Sequence, residues 1–261
     1  MAGCRLAWTF TNNDGSKSKT CGNAMRCLAL WAYKKGLLKD RAKVLTETGP
    51  VEVVFHSEEK IEVDLGVPHL AAQEVPFTGV DSGKQVVASP FNIGSDNLQI
   101  TSVSMGNPHC LVFSAAILAN TRVQLPFDRE SQLQELPPGL AALAEKIQAD
   151  PRFPEGVNVS FVLSHKRDSA RAIVFERGCG ATLACGSAAA AILVGGVLEG
   201  RLDRQATITL PGGNLLVNWS NQDNRVRITG PARLVFEGHF ALPLSQLNLP
   251  KRSALSGAMA K

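Results

Sequence analysis

The chain has 261 residues, 44% of them hydrophobic and 19% charged. That balance suits one large globular domain or two of about 130 residues, and it excludes a disordered tail, a collagenous repeat and a disulfide-stapled miniprotein. Lys and Arg number 27 against 23 Asp and Glu, a net charge of +4 with no run of five basic residues, so no nucleic-acid groove is indicated.

In chain order, a polar glycine-bearing loop at 12–16 runs into Thr20-Cys21-Gly22-Asn23 and a helical pattern over 23–38. Strand patterns follow at 51–55 and 61–65, and the Gly66-Val67-Pro68 passage marks a boundary. Further strands are predicted at 98–105 and 110–113, then a helix over 140–150 behind Pro137-Pro138, and strands at 157–163 and 171–175. A helix over 182–198 and strands at 205–210, 214–219 and 226–236 complete the pattern, and periodicity is lost from Leu242 onward. The apolar run at 183–198 is shorter than the roughly 20 residues a bilayer needs, and the opening MAGCRLAWTF has no basic stretch ahead of an apolar one. A cytoplasmic chain with no membrane contact is expected. Strands in series around three helices predict an α+β fold rather than a doubly wound parallel sheet.

Two of those helices open alike. Thr20-Cys21-Gly22-Asn23 and Ala184-Cys185-Gly186-Ser187 each follow a glycine-bearing polar loop, which points to an internal duplication presenting one cysteine per lobe at a helix start. The free N–H groups and dipole at such a start favour a thiolate, and the small Gly-Asn and Gly-Ser steps let backbone amides close on a carboxylate. Two thiols facing each other suit removal of a proton from one face of a carbon and return to the other. A lone Cys-Gly before a helix is ordinarily a packing choice, and only the repeat of the whole unit favours chemistry. Cys27 and Cys110 are expected to pack, Cys179 lies in a Gly-Cys-Gly loop without an assigned role, and Cys4 is near the start of the chain. No Cys-x-x-Cys or His-x-x-x-His spacing occurs, so neither a metal site nor thioredoxin-like chemistry is predicted.

The segments NNDGSKSKTCGNAMRC, SMGNPHCLVF, FPEGVNVSFV, ERGCGATLACGSAAAA and LPGGNLLVNW with ITGPARLVFEG run in the order found in the diaminopimelate epimerase family, and the chain resembles that family over most of 12–238. The resemblance implies two pseudo-symmetric lobes, each a curled, mostly antiparallel sheet around a central helix, divided as 1–66 with 233–261 and 67–232. It implies stereoinversion at the α-carbon of diaminopimelate with no cofactor and no metal, with Cys21 and Cys185 exchanging the roles of base and acid. By motif position Asn12, Asn107 and Asn158 would contact the substrate, Glu176 and Arg177 would hold its amine and a carboxylate, and Gly22, Asn23, Gly186 and Ser187 would bind carboxylates through their amides. His109 would orient a thiol or the substrate. The partner implied is a small molecule, with no nucleic acid or membrane, and a homodimer is compatible with the family.

The sequence also departs from the family pattern. The family's further N-terminal segment, with a Gly-Asn-Asp-Phe motif, has no counterpart before Cys21, which predicts an incomplete first lobe from either a misplaced start or a real truncation. Ala181 stands where the family has Glu, Ala24 where it has Gly, Lys17 and Lys19 fall in a usually more acidic stretch, and 126–139 reads as an insertion. Competing expectations are an inactive homologue with a binding role, a racemase of another amino acid, and a thiol–disulfide enzyme using the same two cysteines.

Overall fold

The computed structural model describes residues 4–11, 17–18, 21–113, 126, 130–133, 135–136 and 138–238. Asn12, Lys19, residues 127–129, 134 and 137 of the 126–139 insertion and the tail from Leu242 lie outside these residues, as does the side chain of Cys4.

The first part of the chain forms β1 (Cys4–Ala7), a short pair β2 (Phe10–Thr11) and β3 (Lys17–Ser18), α1 (Gly22–Lys34), β4 (Arg41–Thr46), β5 (Gly49–Ser57) and β6 (Lys60–Asp64). The middle forms β7 (Val86–Ile93), β8 (Asp96–Ser104), β9 (Pro108–Val112), α2 (Pro138–Gln148), β10 (Asn158–Lys166) and β11 (Ser169–Glu176). The last part forms β12 (Gly180–Thr182), α3 (Gly186–Leu198), β13 (Gln205–Leu210), β14 (Gly213–Trp219) and β15 (Val226–Gly230). A 13-stranded sheet runs in the order β1-β4-β5-β6-β15-β14-β13-β11-β10-β9-β8-β7, with β12 paired to β11. Pairing is parallel at β1–β4, β9–β10 and β11–β13 and antiparallel elsewhere in that sheet. The α+β expectation holds, with three α-helices among the described residues.

Helix α3 explains how so extended a sheet is filled. Its residues from Ala188 through Gly196 are all buried, so it is apolar on every side and must be enclosed rather than laid on a surface. A Cβ on Gly195 would stand 2.2 Å from Leu111 Cδ1, and this glycine lets β9 press onto the helix backbone. Helix α1 is one-sided instead: Met25, Ala29, Leu30 and Ala32 face the core, while Trp31 and Tyr33 stay half exposed. A second core, built on Phe77, Phe91, Phe153 and Ile147, lies between α2 and the strands of the middle region.

Three expectations need correction. The third helix begins at Gly186, not at 182, because Gly180–Thr182 turns back to pair with β11 and Cys185 is an extended cap. The last strand ends at Gly230 rather than running to 236, since Pro231 has no N–H to continue a ladder, and Val235 and Phe236 are exposed. Cys27 does not pack: the helical turn carries its thiol to the solvent side of α1. Cys110 is buried, as expected.

Candidate active site

Both cysteines are the N-caps of their helices, with nearly the same backbone: φ −133° and ψ 106° at Cys21, φ −131° and ψ 111° at Cys185. Their carbonyls accept the first helical bonds, from Met25 N–H at 2.9 Å and Ala189 N–H at 3.0 Å. Neither thiol caps its own helix, and neither first turn contains an acidic residue, so both helix starts keep their positive end.

The two starts meet. A Cβ on Gly22 would lie 2.7 Å from Ile228 Cδ1, and one on Gly186 would lie 3.0 Å from the same methyl and 3.7 Å from Gly22 Cα. Both Cys-Gly steps therefore rest on one fully buried side chain of β15, and a Cβ would crowd it at either, most at Gly22. The Asn23 carboxamide adds a direct tie, donating to the Ala184 carbonyl at 3.3 Å.

Around Cys185 the polar groups form a chain. Ser187 Oγ lies 3.4 Å from Cys185 Sγ, receives the Asn107 amide at 3.3 Å, and sits 3.2 Å from His109 Nε2. His109 Nε2 is also 3.1 Å from Asn107 Oδ1. Burial pushes His109 down to about 3, so its ring is neutral near pH 7, and its Nδ1 has no hydrogen-bond partner among the described residues. Glu176 accepts from Thr182 Oγ1 at 2.6 Å. Burial first, then the Glu176 carboxylate, pushes the Cys185 thiol up to about 12, while the Ser187 hydroxyl and the nearby Ala188 amide pull the other way. Cys185 is thus a protonated thiol, the state required of a proton donor.

Asn158 is buried at the start of β10. Its carboxamide donates to the Pro108 carbonyl at 3.1 Å and accepts the Arg177 N–H at 3.0 Å, which ties the β11–β12 turn to β9. The Arg177 side chain is exposed, gives one N–H to the Glu155 carbonyl, and has no carboxylate partner among the described residues. Gly178 and Gly180, at φ +78° and +71°, make the tight turn that presents Glu176 and Arg177 together. Of the expected site residues, Cys21, Gly22, Asn23, Gly186, Ser187 and Cys185 gather at the helix junction. Asn107, His109 and Glu176 approach from the Cys185 side. Ala181 packs against the second apolar core. Sequence reasoning missed Thr182, Arg26 and Ile228; for Arg26 a signal existed, since a 3.6-residue period from Gly22 through Met25 and Ala29 puts it on the buried face. No cluster of His, Cys, Asp and Glu among the described residues could hold a metal ion, and no helix of theirs is long and apolar enough to cross a membrane.

This fold is shared with racemases and epimerases. A probable proline racemase from Agrobacterium radiobacter K84 superposes with a TM-score of 0.59 at 12% identity, covering 90% of this chain and 73% of that one. A hydroxyproline epimerase from Agrobacterium vitis gives 0.59 at 14% identity, over 86% and 67%. The sequence is more specific. The diaminopimelate epimerase family model matches residues 3–71 and 101–235. A diaminopimelate epimerase of Synechococcus sp. (strain JA-2-3B'a(2-13)) is 38% identical over 90% of this chain and 78% of its own length. Diaminopimelate epimerase 1 of Nostoc sp. (strain PCC 7120) is 40% identical over 87% and 76%. The chain belongs to the diaminopimelate epimerase family, and it is an isomerase.

Proposed function

We propose that this enzyme inverts the α-carbon of diaminopimelate between its LL and meso forms by passing protons between that carbon and two thiols. The observation that carries the reading is the meeting of two matching cysteine-headed helix starts on Ile228. In one direction the Cys21 thiolate takes the α-proton, and the Cys185 thiol gives its proton to the opposite face. The enzyme is left with a Cys21 thiol and a Cys185 thiolate, and the reverse reaction restores the first state. A single base would tend to return the proton to the face it left; two opposed thiols invert.

The negative charge that develops on the α-carbon spreads into the adjacent carboxylate. The amides of Gly22, Asn23, Gly186 and Ser187 stand at two positive helix ends, and there they stabilise that carboxylate most as charge builds. Ser187 donates to the Cys185 thiolate when it forms, and His109 and Asn107 hold Ser187 in place. Glu176 takes the substrate ammonium and Arg177 a carboxylate, their charges matching a diamino diacid at the points where binding must be specific. Asn12 and Asn158 complete the contacts. The scheme uses no cofactor or metal. We assign one cysteine-headed helix to each lobe, 1–66 with 233–261 and 67–232, and place the enzyme in the cytoplasm, in the supply of lysine and peptidoglycan precursors.

The test is the α-proton signal of diaminopimelate in D₂O under reducing conditions, followed by NMR with the wild type, Cys21→Ala and Cys185→Ala. Loss of the signal with inversion in the wild type, and neither in the two variants, is the expected result. A folded wild type that exchanges nothing overturns the reading.

A further inference from the structure

Arg26 lies on the buried face of α1, one turn inside the helix from Cys21, and is 7% exposed. Its Nε donates to the Pro231 carbonyl at 3.2 Å and one terminal nitrogen donates to Asn23 Oδ1 at 2.9 Å. The other terminal nitrogen is buried, and among the described residues it has no hydrogen-bond partner and no carboxylate pairs with the guanidinium. The planar group lies against the backbone of Gly230, where a Cβ would stand 3.4 Å from Nε and 3.6 Å from Cζ, ordinary contacts, and 2.5 Å from Leu215 Cδ2. Burial lowers the pKa of Arg26 from its ordinary value, the mark of a cation held where charge is unfavourable. Packing alone does not call for this, because an apolar side chain of similar length would fill the space without a desolvation cost.

What the guanidinium does accomplish is directional. By donating to Oδ1 it fixes which way the Asn23 carboxamide is turned, and the Nδ2 end then points at the Ala184 carbonyl, the residue before Cys185. We propose that Arg26 is a positioning residue: through Asn23 it latches the start of α1 to the start of α3 and holds Cys21 and Cys185 in register. The role in catalysis rests on the two-thiol reading above; the latch itself does not. A lysine keeps the charge but cannot span Pro231 and Asn23 with one rigid fork.

The full chain and its R26M, R26K, N23A and R26M/N23A variants are labelled with iodoacetamide without substrate, and each cysteine is followed by peptide mass spectrometry. Cys185 labelling is expected to rise about tenfold in R26M and in N23A, the equivalent of one lost buried hydrogen bond. Fully buried Cys110 should keep its wild-type rate. R26K should fall between wild type and R26M, and the double variant should be no worse than R26M, because the two residues act as one unit. In D₂O with diaminopimelate, misregistered thiols should raise the ratio of α-hydrogen exchange with retention to inversion. A merely unfolded fraction would lower both equally. Unchanged Cys185 labelling in R26M overturns the latch, as does Cys110 opening together with Cys185. If the wild type exchanges no α-hydrogen at all, the proposed function fails while the labelling still decides the latch.

Discussion

Replacing Gly22 by Ala tests whether the junction on Ile228 sets the catalytic geometry. The added methyl would arrive 2.7 Å from Ile228 Cδ1, against an ordinary carbon contact of about 3.5–4.0 Å, so about 1 Å must be found. Ile228 is fully buried and cannot step aside into solvent, so the start of α1 moves, and Cys21 with it. Overpacking of this kind costs about 1–3 kcal/mol, partly offset by the better helix propensity of Ala, about 1 kcal/mol. The fold therefore survives, whereas a misplacement of about 1 Å between reacting groups costs about 100-fold in rate. Ile228→Val deletes the offending methyl at an expected stability cost of about 0.5–1.5 kcal/mol. In the double variant the nearest remaining neighbours of the new Cβ are Leu65 Cδ2 at 3.5 Å and Ile228 Cγ1 at 3.9 Å, both ordinary contacts. The expected results, from inversion rates by NMR and urea unfolding of the same samples, are a G22A rate down about 30- to 100-fold and a G22A/I228V rate within about fivefold of I228V alone. A double variant as slow as G22A, or a G22A enzyme as fast as wild type, would refute the reasoning.

Other outcomes follow from the buried titrating groups. Glu176→Gln removes the carboxylate that helps keep Cys185 protonated, so the Cys185 pKa should fall from about 12 and its alkylation at pH 9 should quicken, read by mass spectrometry. Cys110 and Cys185 both stand near 12 in the fold against an ordinary 9.0. The unfolded chain therefore releases these protons first as pH rises, and stability should fall between about pH 9 and 12 by about 1.4 kcal/mol per pH unit for each thiol. Cys110→Ala should remove about half of that slope in urea titrations at stepped pH, and an unchanged slope would contradict it. His109, at about 3 in the fold against 6.5, works in the opposite direction: the unfolded chain takes up the proton first as pH falls. Stability should be lost from pH 6.5 downward, and His109→Gln should flatten the loss between pH 6 and 4 where the wild type stays steep.

The parts of the fold that were legible in sequence are those set by local pattern. Helix α3 announces itself by a run of small and apolar residues behind Cys185-Gly186, and α1 by the matching step at Cys21-Gly22. Strand β4 was missed because Arg41 and Lys43 are exposed and Val44 is its one fully buried side chain, which leaves little alternation to detect. Strand β7 was missed because Pro90 interrupts it and Ala88 takes a positive φ of 45°, a break tolerated at the end of the sheet. Long-range pairing was illegible for another reason. β6 joins β15 across most of the chain, and nothing local in Ile61 or Val63 names Gly230 or Ile228 as its partner. The same limit hid Ile228 from the candidate site: it is one apolar residue in an alternating strand until the fold brings two glycines onto it. The polar site residues were legible only where a motif repeats, and Thr182, which holds Glu176, belongs to no repeat.

The two caps are alike in backbone and part in their surroundings. The backbone angles at Cys21 and Cys185 agree within a few degrees, so the dipoles and amides offered to a substrate are equivalent. The surroundings are not. Cys185 is buried beside Glu176, which helps to hold its proton, whereas Cys21 is only half buried and shares its helix with the Arg26 guanidinium, which has no carboxylate partner among the described residues. The carboxylate beside Cys185 favours a resting enzyme with that residue as the acid. Each turnover leaves the opposite arrangement, so the next substrate of the same hand must wait for the protons to return. A proton-transfer step between the thiols and solvent is therefore expected to limit the rate at high substrate. Inversion measured from LL substrate at saturation should quicken as the buffer concentration is raised at fixed pH and ionic strength, because buffer carries protons between the thiols and solvent. A saturated rate independent of buffer would show that the two protonation states interchange freely and that the asymmetry has no kinetic consequence.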